Sequence, residues 1–170
     1  MLEAKLLRLL PALVLAAGTM ICSSGTPAAA AGSSCTGKSD DRSADNWAST
    51  ETDLCLRASD KGWSYGAITF TCWKGQTIGW DRADCNLSGL ASLTETRDGT
   101  TRKVYDRPAN LKYTYSVNGD SVTYSQSFTF TCTPGATYAF TLSGAHTIQG
   151  YDQATRVDIP NRTVADVPCN

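Results

Sequence analysis

Hydrophobic residues recur at every second position over much of the chain, and no stretch after residue 31 carries the 3.6-residue stripe of an amphipathic helix. The clearest run is Val122 to Thr133. There Val122, Tyr124, Phe128, Phe130 and Cys132 alternate with Thr123, Ser125, Ser127, Thr129, Thr131 and Thr133. Successive strand side chains point to opposite faces, so one face is expected in the core and the other bears a ladder of hydroxyls. Gln126 interrupts the apolar series and suggests a bulge or bend. Just before this run, Asn118-Gly119 is a two-residue hairpin signal, because both turn positions need positive φ. Closing that hairpin over Leu111 to Cys132 pairs Tyr113 with Tyr124, Tyr115 with Val122 and Val117 with Asp120. Asp98-Gly99 signals a second hairpin, with Glu95 opposite Arg102 and Leu93 opposite Val104, both chemically matched pairs.

An internal echo adds to this. Ile68-Thr-Phe-Thr-Cys72-Trp-Lys-Gly75-Gln-Thr77 is matched position by position by Phe128-Thr-Phe-Thr-Cys132-Thr-Pro-Gly135-Ala-Thr137. A three-residue loop ending in glycine would close each copy as a bulged hairpin. Phe70 then faces Ile78 and Ile68 faces Trp80, while Phe130 faces Tyr138 and Phe128 faces Phe140. Pro134 fits that loop poorly. Upstream, Ser39 to Asn46 reads as a loop or a short helix capped by Ser43, and Thr52 to Arg57 as a strand carrying Cys55. Beyond Leu142, Val157, Ile159, Val164 and Val167 mark short strands leading to Cys169. Two stacked aromatic faces predict an all-β fold, an antiparallel β-sandwich or small barrel.

The first residues follow another pattern. Lys5 and Arg8 precede the apolar run Leu9 to Met20, and Ala28 to Ala31 supply the small residues of a cleavage site before Gly32. The expectation is a signal peptide over residues 1–31 and a single secreted β-rich domain over 32–170. The run is shorter than the roughly 20 residues of a membrane span, and Ile21 stands where a lipid anchor at Cys22 would want a small residue. No membrane attachment is therefore expected after cleavage. The leader's style resembles that of a bacterial exported protein. The sequons at Asn86 and Asn161 would matter only in a eukaryotic host.

Of 15 Lys and Arg and 16 Asp and Glu, the signal holds Lys5, Arg8 and Glu3, which leaves 13 and 15 and a net charge of −2. No basic field draws nucleic acid or an anionic membrane. Cys22 leaves with the signal, and Cys35, Cys55, Cys72, Cys85, Cys132 and Cys169 remain. An even count in an exported chain points to three disulfides. Sequence does not choose among the pairings; the working expectation is the sequential set, Cys35 with Cys55, Cys72 with Cys85 and Cys132 with Cys169. No Cys-x-x-Cys pair occurs and His146 is the sole histidine, so neither a metal nor a cofactor is expected.

Candidate chemistry is sparse. His146 is the one imidazole that could activate a serine, with Ser143 and Asp152 nearby, but no Gly-x-Ser-x-Gly elbow accompanies it, and its turn-rich setting reads as an exposed loop. Glu51, Asp53, Asp81 and Asp84 are carboxylates near tryptophans that could serve glycoside hydrolysis. The strongest pointer is the clustering of Trp47, Trp63, Trp73 and Trp80 within one part of the chain. If Ile68, Phe70 and Cys72 face inward, Trp73 turns outward beside Thr69 and Thr71. An indole next to hydroxyls suits a sugar, whose ring face is apolar and whose edge wants hydrogen bonds. The plainer account is that Trp73 covers a hairpin rim and that threonine reflects β-propensity. The leading expectation is a secreted, non-enzymatic binding protein for a carbohydrate or cell-wall polymer through Trp73, Thr69 and Thr71. The alternative is an inhibitor of an extracellular hydrolase presenting Arg97-Asp98-Gly99 or Asp106-Arg107-Pro108. An enzyme ranks third.

Overall fold

A computed structural model describes residues 32–114, 124–150 and 154–170. The export signal expected over residues 1–31 lies outside the described residues. Ten strands follow in order: β1 (Ser33–Cys35), β2 (Asp41–Arg42), β3 (Ala48–Arg57), β4 (Ser64–Gly75), β5 (Trp80–Arg82), β6 (Cys85–Arg97), β7 (Thr100–Tyr113), β8 (Tyr124–Phe130), β9 (Thr137–Gln149) and β10 (Ala154–Pro168). One antiparallel sheet has the order β1-β3-β4-β5, with β2 added to β3 and β8 to β4; the other has the order β10-β9-β6-β7. No helix occurs among the described residues. The fold is an all-β antiparallel sandwich.

Alternation decides the core. Leu54, Leu56, Ile68, Phe70 and Cys72 of the first sheet are buried against Leu87, Leu93, Phe140, Leu142 and Ile148 of the second. Val157, Ile159, Val164 and Val167 are buried too, but on one long strand, β10, which two bulges bend along β9. Fully burying a side chain of this size contributes about 2 kcal/mol, so this layer is the main source of stability.

Several partner assignments differ from expectation. Tyr113 pairs with Cys85 and Tyr124 with Phe70, so the strands flanking Asn118-Gly119 belong to different sheets rather than one hairpin. The turn itself, with Tyr115, Val117, Asp120 and Val122, lies outside the described residues. No bulge occurs at Gln126, whose strand keeps continuous register with β4. Asp98 (φ 51°) and Gly99 (φ 75°) make the expected turn, and Glu95 faces Arg102. Leu93, however, pairs with Tyr105 across a bulge at Val104. The extra residue turns Tyr105 toward the core, where it stacks on Phe128 at 4.1 Å.

The echoed segments diverge in the same way. The first closes between Gly75 and Trp80, with Gly79 (φ 93°) as the left-handed residue. Ile68 therefore lies between Leu54 and Gln126, and Ile78 is 92% exposed. In the second, Thr133 to Ala136 forms a tight turn with Pro134 second and Gly135 (φ 78°) third, positions that suit a type II turn and accommodate the proline. The chain then crosses to the other sheet. Phe130 meets Tyr138 at 5.0 Å and Phe128 meets Phe140 at 5.2 Å across the core, not along a ladder. No helix forms over Ser39 to Asn46. Ser43 Oγ accepts the Ala48 N–H at 3.0 Å and donates to Asp45, making a turn instead.

The three disulfides are Cys35–Cys55, Cys72–Cys85 and Cys132–Cys169, the sequential set. Two join the sheets: Cys72 of β4 to Cys85 of β6, and Cys132 after β8 to Cys169 after β10. The third ties directly opposed residues of β1 and β3. Cys35 is exposed and Cys55 half-buried, whereas the other four sulfurs are buried. Thiol exchange needs access to a sulfur. Brief treatment of the folded protein with a mild reductant, followed by alkylation and peptide mapping, is expected to label Cys35 and Cys55 first. Equal labelling of Cys72 and Cys85 would mean that the sandwich opens as readily as its edge.

Candidate functional site

The outer face of the first sheet carries Trp73 and Trp80, whereas Trp47 just precedes β3 and Trp63 just precedes β4, beside Thr129 and Phe130. Ladder pairs Ser49 with Trp73, Glu51 with Thr71 and Asp53 with Thr69 stand on this face, while Thr50, Thr52 and Leu54 point inward with Cys72, Phe70 and Ile68. Trp73, Thr71 and Thr69 thus stand in one file, as alternation requires. β5 lies beside Trp73 through the Trp73–Arg82 pair, and its own alternation brings Trp80 and Arg82 to the same face, with Asp81 turned away. β2 adds Arg42, opposite Ser49.

These elements form a groove of about 340 Å³ lined by Asp40, Arg42, Ser49, Glu51, Trp73 and Trp80. Trp73 is half-buried and Trp80 is 39% exposed. The Arg82 guanidinium lies 4.8 Å from the centre of the Trp73 ring, and that of Arg42 lies 5.4 Å from Trp80, distances at which the charge is attracted to the ring face. Arg42 donates to Asp40 at 2.9 and 3.3 Å, and Ser49 Oγ donates to the same carboxylate at 2.8 Å. Those bonds, Arg42's foremost, hold the Asp40 carboxyl below its ordinary range. Lys38 reaches Glu51 at 3.3 Å. The groove therefore offers two indoles beside planar, mutually oriented hydrogen-bonding groups whose charges are matched.

Thr69 and Thr71 are partly separated from it. They flank a small recess of about 60 Å³ with Lys38, Glu51 and Asp53, and Thr71 is only 8% exposed. Glu51 lines both hollows. Sequence reasoning missed Asp40, Arg42 and Ser49, because a polar stretch read as a loop gives no sign that β2 will fold onto β3. Trp80 stood out among the tryptophans but was expected opposite Ile68 in the core. Its exposure follows from the wider turn at 76–79.

Comparison with protein-family models, with curated proteins and with solved structures finds no match for the chain.

The other candidates fare differently. His146 sits not in an exposed loop but on β9, fully buried. Its Nε2 lies 3.0 Å from Thr52 Oγ1 and its ring 4.8 Å from Phe70. Burial pushes the imidazole down to about 4. Ser143 is at an odd position on the same strand and faces the other way; Asp152 lies outside the described residues. Of Glu51, Asp53, Asp81 and Asp84, Glu51 alone lines the tryptophan groove. Asp106-Arg107-Pro108 is no loop but part of β7, paired with Ser92, Ala91 and Leu90. Two groupings of possible metal ligands occur among the described residues, Cys72 with Cys85 and His146, and Cys35 with Asp53 and Cys55. In both, the sulfurs are joined as a disulfide and are not thiolates.

Proposed function

We propose that the chain is a secreted, non-enzymatic protein that binds a carbohydrate or cell-wall polymer through the groove between Trp73 and Trp80. The observation that carries this reading is the pairing of two accessible indoles with Asp40, Arg42, Ser49 and Glu51 on one rigid sheet face. The indoles suit the apolar face of a sugar ring; the carboxylates, guanidinium and hydroxyl suit its edge. β-Sheet placement fixes these groups in advance, so little ordering entropy is lost on binding. Three intramolecular disulfides accord with an oxidising, extracellular environment. No helix among the described residues is long and apolar enough to cross a membrane. Removal of residues 1–31 as a bacterial-type export signal belongs to the same proposal.

The test is retention of the oxidised protein on insoluble cellulose, chitin and peptidoglycan, with Trp73→Ala as the matched control. Losing a stacking platform costs about 0.5 to 1.5 kcal/mol, so Trp73→Ala is expected to lower retention by up to roughly tenfold while the midpoint of its denaturant transition stays unchanged, which shows the fold intact. No retention of the unaltered protein on any of the three polymers overturns the reading. A second reading, inhibition of an extracellular hydrolase, draws support from the Arg97-Asp98-Gly99 tip. It is a fully exposed two-residue turn held rigid between two long strands. That reading predicts a stoichiometric complex with an enzyme instead.

A further inference from the structure

A second concavity adjoins the groove. It measures about 350 Å³ and is bounded by Asp45, Asn46, Trp47, Gln76 and, again, Trp80. Trp80 is thus a wall common to both hollows. Trp47 is 52% exposed, the second most exposed tryptophan, yet it is not loosely held. The Gly75 N–H donates to its carbonyl at 2.7 Å, and its own N–H donates to the Asp45 carboxylate at 3.0 Å. A Cβ placed on Gly75 would come within 2.8 Å of the indole, so the glycine lets the ring close onto the β4 backbone and leaves its other side to solvent. Asn46 and Gln76 supply amide donors and acceptors beside it.

We propose that the two hollows are consecutive subsites for an internal stretch of a linear glycan, one sugar resting by Trp73, another by Trp47, with Trp80 between them. This rests on the glycan reading above and specifies the form of the ligand. A monosaccharide fills one hollow. A chain that reaches both makes the second contact intramolecular, so affinity rises with length until both are occupied. The chemistry of the two hollows also differs: the first presents the Asp40–Arg42 pair and Glu51, the second the amides of Asn46 and Gln76 beside the Asp45 carboxylate, which already accepts from Ser43 and the Trp47 N–H.

Soluble sugars of the cellulose, chitin and peptidoglycan glycan series, from the monosaccharide to about six sugars, would be titrated calorimetrically against the disulfide-bonded protein. The expected result is at least a tenfold gain in affinity across one series. Trp47→Ala should abolish that gain and leave the monosaccharide affinity within about twofold, whereas Trp73→Ala weakens every length. Gln76→Ala, on an exposed turn, gives the same flattening in weaker form and keeps the test decisive if Trp47→Ala disturbs the β3–β4 contact. Affinity independent of length, or the same loss at every length in Trp47→Ala or Gln76→Ala, overturns the two-subsite cleft but leaves glycan binding standing. Failure of all three series to bind the unaltered protein overturns the glycan reading itself.

Discussion

Removing both inter-sheet disulfides, by changing Cys72, Cys85, Cys132 and Cys169 to alanine, is expected to abolish cooperative folding. Each bridge restricts the unfolded chain by closing a loop. For separations of 13 and 37 residues the chain-entropy relation gives about 3 and about 4 kcal/mol. Together that is about 7 kcal/mol, against a total stability of roughly 5 to 15 kcal/mol for a domain. Position sharpens the effect. Both bridges run between layers that otherwise adhere only through the core, and Cys72 and Cys85 are themselves core residues beside Phe70, Tyr113 and His146. Single-bridge variants should keep a cooperative denaturant transition with reduced midpoints; the fourfold variant should show none and should lose its near-ultraviolet circular dichroism. A cooperative transition at the normal midpoint in the fourfold variant would show that the apolar layer alone specifies the sandwich.

The site and the fold were legible to different depths, and the reason is local. Period-2 alternation is a property of neighbouring residues, so it states correctly that Trp73, Thr71 and Thr69 share a face and that Phe128 and Phe130 share another. Turn chemistry is equally local, and Asp98-Gly99 turns where it should because both positions need positive φ. Neither signal says which strand lies alongside. An aromatic residue is equally at home opposite another on a ladder or against one across a core, and Phe128 with Phe140 takes the second course. The bulge at Val104 depends on a distant partner, Phe128, and leaves no mark near residue 104. The groove suffers most from this limit. Arg42 and Trp80 are 38 residues apart and meet only because β2 and β5 both border the β3–β4 pair.

His146 makes the protein's stability depend on pH between its ordinary pKa and about 4. Its imidazole is lowered from 6.5 to about 4 in the folded protein, chiefly because burial penalises the cation. Asp41, itself held by Arg162 at 2.9 Å through both carboxylate oxygens, exerts a smaller upward pull. In the unfolded chain the same ring takes up a proton near its ordinary pKa. Stability from this group is therefore complete above that value and is lost as pH falls toward 4, because the unfolded state binds a proton the folded state refuses. Between about pH 7 and about pH 4.5 the loss is roughly 2 to 3 kcal/mol. The carboxyls of Glu95 and Asp40, both lowered first of all by hydrogen bonds from arginine, Arg102 and Arg42, lose their contribution only at lower pH. With one histidine in the chain, assignment is direct. Urea unfolding of His146→Gln, which keeps a hydrogen-bonding partner for Thr52 and never charges, is expected to start from a lower stability but show no slope across that window. A slope that persists in the variant would place the titrating group elsewhere, and a flat profile in the unaltered protein would mean that the buried ring accepts its proton without cost.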